Sequence, residues 1–256
     1  MGEEGLTDGS SGPLDGRRVV VVGASSGIGR EVVIAATHAG AFVAAAARRF
    51  DQLRELAGKC GPTVHPVVCD VRSTMGCELA ARAATDFLGS VDTLVFATGI
   101  NPLGLLEDTD SEAWAEVLET NLIGASMFTR ALLPTLRATA TARTDRRRPR
   151  AAYLSSHAVG RPWPGLGAYA ASKGGLDTLV GAWRAECPEI DFTRIVVGPT
   201  ITGVAGWDRE LATTMFRRWD EEGYLGEHAP VEASVVAAAI VDWMAADEVP
   251  EDLHLV

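Results

Sequence analysis

The stretch AYAASKGG at residues 168–175 places a tyrosine, Tyr169, four residues before a lysine, Lys173. On a helix these two side chains would share a face, where the ammonium favours the ionised form of the phenol. A phenol tuned in this way can give a proton to a reacting oxygen, or take one from it, at neutral pH. Such pairs also arise by chance, so the pair alone favours two uncoupled surface residues.

A serine at the end of a predicted strand changes this interpretation. Ser156 closes the apolar segment 151–156 and precedes Tyr169 by 13 residues. Open α/β folds bind their ligands at the carboxyl edge of the sheet. There the Ser156 hydroxyl can polarise a carbonyl group and stabilise the charge that develops on its oxygen. Ser155 is a competitor for this role, because alternation along a strand turns one of the two hydroxyls away.

A glycine-rich segment follows the first predicted strand and opens a predicted helix. Its glycines, Gly23, Gly27 and Gly29, have the spacing G-x-x-x-G-x-G. Residues without side chains let a pyrophosphate approach backbone amides, and the helix N-terminus adds free N–H groups and a positive dipole end. Ser25 and Ser26 add hydroxyl donors. The alternative is a merely flexible turn, but the strand before and the helix after predict a nucleotide site.

The end of the second predicted strand bears on which nucleotide binds. Arg48 and Arg49 follow that strand, and the first acid comes only at Asp51. An acid at the strand end would bind a ribose 2′-hydroxyl, whereas a guanidinium suits a 2′-phosphate. We therefore predict NADP(H) in preference to NAD(H), unless both arginines are ordinary exposed residues. Asp70, after the third strand, is predicted to accept from the adenine amino group or to cap the next helix.

Short apolar runs alternate with longer helical stretches along the chain. This alternation predicts a single α/β domain with a doubly wound parallel sheet of about seven strands, a Rossmann fold, over residues 14–256. The strands are predicted at 17–23, 41–47, 63–70, 91–97, 151–156, 191–198 and 251–256. The helices are predicted near 27–38, 50–58, 74–88, 111–138, 167–186, 207–222 and 231–245. Residues 1–13 are polar and glycine-rich, and are predicted to be a flexible tail rather than a signal peptide.

Composition excludes several classes of partner. The net charge of −11 and the pI near 4.9 argue against nucleic-acid binding, and the basic run at 143–150 is interrupted by Asp145 and Pro149, as in a solvated loop. No apolar run reaches transmembrane length, so no membrane partner is expected. The four cysteines form no C-x-x-C pair and have no histidine at metal spacing. They predict a reduced, cytoplasmic location and no metal site.

Taken together, these motifs resemble the short-chain dehydrogenase/reductase family of the compact single-domain type, over about residues 14–256. The resemblance is carried by the stretch from Gly23 to Gly29, by Asp70-Val71, Asn121 and Ser155-Ser156, and by Tyr169-x-x-x-Lys173. It implies a catalytic set of Asn121, Ser156, Tyr169 and Lys173, with Asn121 holding a water that links the lysine to solvent. The alternative for Asn121 is a polar residue that bends a helix. The family also implies a homodimer or homotetramer packed through helices 111–138 and 167–186.

The resemblance further implies a set of cofactor contacts. These are Gly23, Ser25, Ser26, Gly27, Ile28, Gly29, Arg48, Arg49, Asp70, Val71, Ala97, Gly99, Tyr169, Lys173, Pro199, Ile201 and Thr202. The chain also departs from the family. Asn-Asn-Ala-Gly after the fourth strand is replaced by residues 96–99, Phe-Ala-Thr-Gly, so hydrogen bonds of the two asparagines must come from elsewhere. Val22 replaces a threonine, and Thr200 replaces the glycine after Pro199. None of these changes removes a group that handles the proton.

The substrate side is predicted to be apolar. A variable lid near 200–226 carries Trp207, Phe216 and Trp219, and Trp163 lies in the loop before the catalytic tyrosine. These rings are expected to line a pocket for a hydrophobic ketone or secondary alcohol. The alternative is that the aromatic face of the 207–222 helix simply packs on the domain.

Three functions remain open from the sequence. The first is hydride transfer between NADP(H) and a hydrophobic ketone or secondary alcohol. The second is a non-catalytic nucleotide sensor or scaffold, which would not need the serine, tyrosine and lysine. The third is an epimerase, dehydratase or imine reductase, since a fold does not determine one function.

Overall fold

A computed structural model describes residues 12–144, 147–200, 206–225 and 230–255. Seven strands form one parallel sheet in the order β3-β2-β1-β4-β5-β6-β7, which confirms the predicted fold class. The strands are β1 Arg18–Val22, β2 Phe42–Ala47, β3 Val64–Val68, β4 Thr93–Phe96, β5 Arg150–Ser156, β6 Asp191–Val197 and β7 Asp252–Leu255. Residues 1–11 of the predicted tail lie outside the described residues, and the division into a tail at 1–13 and a domain stays a prediction.

Helices cover both faces of this sheet. They are α1 Gly27–His38, α2 Phe50–Cys60, α3 Thr74–Leu88, α4 Ser111–Leu118, α5 Gly124–Ala142, α6 Gly167–Glu186, α7 Arg209–Glu221 and α8 Ala233–Ala245. Helices α1, α3 and α6 have the predicted bounds. No helix in the described ranges is long and apolar enough to cross a membrane.

The prediction of a single long helix at 111–138 is wrong. It is divided into α4 and α5 by one π-helical segment, Glu119–Ile123, and α5 continues to Ala142. The cause is a tertiary contact, because Asn121 in the π segment hydrogen-bonds through its amide to both backbone groups of Ile100. A π segment rotates a side chain relative to a regular helix, and such segments are frequent at functional sites.

Strand β1 shows why the strands are continuous apolar runs. Val19 and Val21 pack into the layer beneath α1 and α8, whereas Val20 and Val22 pack into the layer beneath α3, α5 and α6. All four are fully buried, and each contributes about 1.5–3 kcal/mol by leaving water. Helices cover both faces of this parallel sheet, so neither face meets water and its strands do not alternate apolar with polar residues.

The sheet topology determines where a ligand can bind. Val22 of β1 pairs with Ala46 of β2 and with Phe96 of β4, so these strands end side by side. The chain proceeds outward from β1 to β2 and β3 and then returns to β4 on the other side. This reversal opens a crevice at the carboxyl edge between β1 and β4.

Candidate active site

The glycine segment after β1 forms a cradle that side chains would fill. Gly23 has φ +95°, and a Cβ placed there would lie 2.7 Å from the Thr98 amide nitrogen. A Cβ at Gly29 would lie 2.4 Å from the carbonyl oxygen of Gly23. Helix α1 starts directly at Gly27, so its first turn meets the crevice. The residues present therefore fit a dinucleotide whose phosphates approach the backbone closely.

One cavity of about 590 Å³ joins this cradle to the Ser–Tyr–Lys set. Fourteen predicted site residues line it: Gly23, Ser25, Ser26, Gly27, Ile28, Arg48, Arg49, Asp70, Val71, Ala97, Gly99, Ser156, Tyr169 and Lys173. Gly29, Asn121 and Pro199 are not in its wall. Ile201 and Thr202 lie outside the described residues.

The wall contains polar residues that were not predicted. Thr98, Asn101 and Thr120 line the cavity. Ser155, which the sequence offers as the competitor of Ser156, lines it too, and its buried hydroxyl has no hydrogen-bond partner among the described residues. Thr98 and Asn101 flank the predicted Gly99, so the rule that ligands sit beyond strand ends would have found them. No sequence signal marks Thr120, because only the π segment places it at the cavity.

Arg49 lies across the glycine segment. Its guanidinium donates to the Ser25 hydroxyl at 2.9 Å and to the Ser26 hydroxyl at 2.6 Å. Asp70 closes the same end of the cavity. Burial would raise the pKa of Asp70, but hydrogen bonds from the Arg72 backbone and side chain, together with the nearby Arg48, hold it below its ordinary value. The cavity thus combines two guanidinium groups with an ionised carboxylate where the sequence predicts the adenosine.

Tyr169 and Lys173 meet on one face of α6. The Lys173 ammonium lies 5.8 Å from the centre of the Tyr169 ring and donates to the Leu154 carbonyl oxygen at 2.7 Å. Burial lowers the pKa of Lys173 from 10.5 to about 8, although the negative charge of Asp177 acts to raise that pKa. Burial raises the pKa of Tyr169, and the Ser156 hydroxyl acts in the opposite direction. The phenol is therefore neutral and ready to donate a proton when no positive charge is added nearby.

Asn121 lies directly behind this pair and is fully buried. Its amide oxygen accepts from Ile100 N at 2.8 Å, and its amide nitrogen donates to Ile100 O and to the Ser172 hydroxyl, each at 2.9 Å. A Cβ at Gly99 would lie 3.3 Å from the Lys173 nitrogen and 3.4 Å from the Asn121 oxygen. The side-chain amide therefore fixes the segment that carries Gly99, and the implied water link stays a prediction.

The predicted substrate-side aromatics form a cluster of their own. Trp219 has Trp163 and Phe216 at ring-centre distances of 5.1 Å, and Trp207 at 5.9 Å. None of the four lines the described cavity. Their packing follows the alternative interpretation, in which α7 lays its aromatic face on the domain. The link to the site is indirect, because the Trp207 indole donates to the carbonyl oxygen of Asn101 at 2.7 Å.

Comparisons with known proteins agree with this architecture. The family described as short chain dehydrogenase matches residues 17–212. The chain is 34% identical over 200 residues to the glycine betaine reductase ATRR of Emericella nidulans, covering 76% of this chain and 15% of that protein. It is 30% identical over 208 residues to the 3-ketodihydrosphingosine reductase of Bos taurus, covering 78% of this chain and 60% of that protein. The chain thus spans less than two thirds of either relative.

Solved structures share the fold. The alcohol dehydrogenase from the archaeon Thermococcus sibiricus, complexed with 5-hydroxy-NADP, matches with a TM-score of 0.76 and 24% identity, covering 93% of this chain and 95% of that chain. The parallel sheet and its flanking helices define a Rossmann-like α/β fold. The chain belongs to the short chain dehydrogenase family, and this fold implies a nicotinamide nucleotide as its cofactor.

Proposed function

We propose that this protein transfers a hydride between NADP(H) and a hydrophobic ketone or secondary alcohol. The observation that carries the proposal is the continuous cavity, which has the glycine cradle at one end and Ser156, Tyr169 and Lys173 at the other. The nucleotide, when bound, supplies or accepts the hydride. The protein's own residues bind the carbonyl and move the proton.

Each polar residue of the set has a distinct task in this proposal. Ser156 donates a hydrogen bond to the substrate oxygen, where negative charge develops. Tyr169 gives its proton to that oxygen, or takes it back in the oxidative direction. The Lys173 ammonium, which lies 5.8 Å from the centre of the Tyr169 ring, is assigned the task of favouring the ionised phenol as the proton leaves.

Apolar side chains lie close to the reacting end of the cavity. Tyr169 packs against a cluster that includes Trp163, Leu166 and Met215, none of which lines the cavity wall itself. One relative, the 3-ketodihydrosphingosine reductase, is named for a keto substrate. A homodimer or homotetramer and a cytoplasmic location are part of the same proposal.

Purified protein mixed with NADPH and a panel of hydrophobic ketones is expected to consume NADPH, measured as loss of nicotinamide absorbance. Small charged ketones should react more slowly, because an apolar site does not compensate the desolvation of their charge. Tight NADPH binding without turnover on any ketone or alcohol would favour a sensor. Turnover confined to imines would indicate an imine reductase.

Arg48→Ala is expected to weaken NADPH binding about 10- to 100-fold, the loss typical of a charged hydrogen bond to phosphate. NADH binding should change little, because NADH has no 2′-phosphate. Arg49→Ala should act in the same direction, and it also removes the contacts to Ser25 and Ser26. Dissociation constants from nicotinamide fluorescence provide the measurement.

Arg54→Ala is the matched control, since Arg54 is exposed on α2 and is absent from the cavity wall. Equal losses for NADPH and NADH in Arg48→Ala would contradict the preference for NADP(H).

A further inference from the structure

Asn101 is a polar residue of the cavity wall to which the proposed reaction gives no task. It follows β4 by a few residues and is half-buried. The one hydrogen bond found for Asn101 in the described ranges uses its backbone carbonyl oxygen, which accepts from the Trp207 indole at 2.7 Å. The polar groups of its side-chain amide therefore have no partner in that part of the protein, and they are available to a ligand in the cavity.

The neighbours of Asn101 in the chain place it at the reacting end of the cavity. Ile100, the residue before it, is held by Asn121, which lies directly behind Tyr169. Leu103, two residues after it, packs in the same apolar cluster as Tyr169. A group that meets the Asn101 amide therefore belongs to a molecule bound beside the phenol, far from the predicted adenosine end.

Three parts of the fold hold the segment that carries Asn101. The π segment binds both backbone groups of Ile100, at 2.8 and 2.9 Å. The indole of Trp207, just before α7, binds the backbone of Asn101 itself. The amide of Gly104 donates to the carbonyl oxygen of Gly165, in the loop before α6, at 2.9 Å. Because its backbone is fixed from several sides, the Asn101 side chain loses little conformational freedom when it binds a ligand.

The chemistry of this amide defines the group that it can bind. A carboxamide carries an N–H donor and a carbonyl acceptor and has no net charge, so it suits an uncharged hydroxyl or keto group. An aliphatic ketone has one polar group, the carbonyl oxygen, and the proposed reaction places that oxygen at Ser156 and Tyr169. Such a ketone would leave the Asn101 amide without a partner when it displaces water from the cavity, which costs binding free energy.

We propose that Asn101 is a specificity-determining residue, and that the substrate carries an uncharged hydroxyl or keto group next to the reacting carbonyl. The Asn101 amide binds this second group, and the remainder of the substrate is apolar. Trp207 acts through Asn101 and is a positioning residue. The reacting carbonyl gains a hydride from NADPH on its carbon and the Tyr169 proton on its oxygen, water restores that proton, and the second group is unchanged. This proposal rests on the proposed hydride transfer and narrows its substrates to hydroxyketones and diketones with an apolar chain.

The test compares hydroxymethyl hexyl ketone with ethyl hexyl ketone, which have the same size and differ only in a hydroxyl in place of a methyl group. The readout is the ratio of their kcat/KM values with NADPH, because a difference in their intrinsic reactivity affects every variant alike. Asn101→Ala and Asn101→Leu remove the amide, and leucine also keeps about the volume of the side chain. Both variants should lower the ratio about tenfold in favour of ethyl hexyl ketone, the loss of about one hydrogen bond.

Two tryptophan variants separate the positioning role from general effects on folding. Trp207→Phe keeps an aromatic ring and removes the N–H that holds Asn101, so it should lower the ratio about threefold. Trp243→Phe also removes an indole N–H, which donates to the Thr193 hydroxyl at 3.2 Å, but Trp243 is absent from the cavity wall. This control should keep the wild-type ratio. Circular dichroism melts establish that each variant is folded.

A ratio that stays at the wild-type value in both Asn101 variants would overturn the specificity role. A loss shared equally by the two ketones, together with weaker NADPH binding, would also overturn it, since the amide would then serve the nucleotide. An unchanged ratio in Trp207→Phe alone would overturn the positioning role.

Dissociation constants of the two ketones make the assignment testable without turnover. They are measured by calorimetry with NADPH present, in Tyr169→Phe and in the same protein carrying Asn101→Ala. The second substitution should weaken binding of hydroxymethyl hexyl ketone about tenfold more than binding of ethyl hexyl ketone. Equal changes, or no binding of either ketone, would overturn the assignment of Asn101. A wild-type protein that binds the hydroxymethyl ketone through Asn101 but reduces neither ketone would instead contradict the proposed function.

Discussion

Tyr169→Phe is expected to reduce NADPH-dependent ketone turnover by about 10²- to 10⁴-fold, the range that a positioned general acid contributes. The substitution removes one oxygen and leaves the ring in its place beside Lys173. The phenol is the group proposed to give a proton to a carbonyl oxygen bound at Ser156, because a serine hydroxyl is far too weak an acid and the Lys173 ammonium donates to the Leu154 carbonyl oxygen. NADPH binding should persist, as the cradle and the arginines are untouched. The measurements are kcat for ketone turnover and the dissociation constant of NADPH from a fluorescence titration.

Tyr153→Phe is the control for this result. Tyr153 is fully buried, and burial raises its pKa as it does that of Tyr169. Tyr153 is absent from the cavity wall, and its hydroxyl lies 2.6 Å from that of Thr129. This variant should lose about 1 kcal/mol of unfolding free energy, the worth of one hydrogen bond, and keep its turnover. Wild-type turnover in Tyr169→Phe would rule out the phenol as the proton donor.

The parts of the site that follow from local pattern could be predicted from the sequence. The glycine segment needs only a strand before it and a helix after it, and both are marked by residue types. Ser156 ends one strand of the parallel sheet and Asp70 follows another, and the carboxyl ends of such strands meet at one edge. Their convergence on one cavity is therefore a consequence of the fold class.

The parts that depend on tertiary contacts could not be predicted. Helical periodicity continues through Asn121, and no pattern in that segment indicates that its amide would bind Ile100 and open a π segment. Likewise, the aromatic residues of α7 are evident in the sequence, but whether Trp219 faces a substrate or another ring depends on how the helix docks. The hydrogen bonds from Arg49 to Ser25 and Ser26 also depend on the pairing of two strands, which the sequence pattern does not give.

Lys173→Met is expected to abolish turnover and at the same time to stabilise the protein at neutral pH. Turnover is lost because no cation remains beside Tyr169 to favour the phenolate. Stability is gained because the folded protein buries a charge that the unfolded chain exposes to water. Lys173 is 3% exposed, and the Leu154 carbonyl oxygen is the one hydrogen-bond acceptor found for its ammonium among the described residues. A functional group held at a cost to stability is common at active sites.

The pH dependence of this gain follows from the lowered pKa of Lys173. Below pH about 8 the lysine is charged in both the folded and the unfolded protein, so the full cost of burial is present. Between pH about 8 and 10.5 only the unfolded chain keeps the proton, and the unfolding free energy of the wild type rises with pH. At pH 7, Lys173→Met should therefore be more stable by about 2 kcal/mol, after subtracting the lost hydrogen bond. The gain should shrink steadily as the pH approaches 10.

The chain offers an exact control, because Lys59 is its other lysine. Lys59 is 57% exposed and pairs with Glu55 on the surface of α2, so Lys59→Met should change stability by less than about 0.5 kcal/mol at any pH. The measurement is urea unfolding of the three proteins at pH 7, 8.5 and 10. A stability gain that does not depend on pH would mean that methionine merely packs better, and a loss at pH 7 would mean that the buried ammonium stabilises the fold. We predict an inactive protein whose unfolding free energy exceeds that of the wild type at pH 7, with a difference that shrinks as Lys173 loses its proton. This result would show that the ammonium needed by the proposed reaction is the charge that lowers the stability of the folded protein.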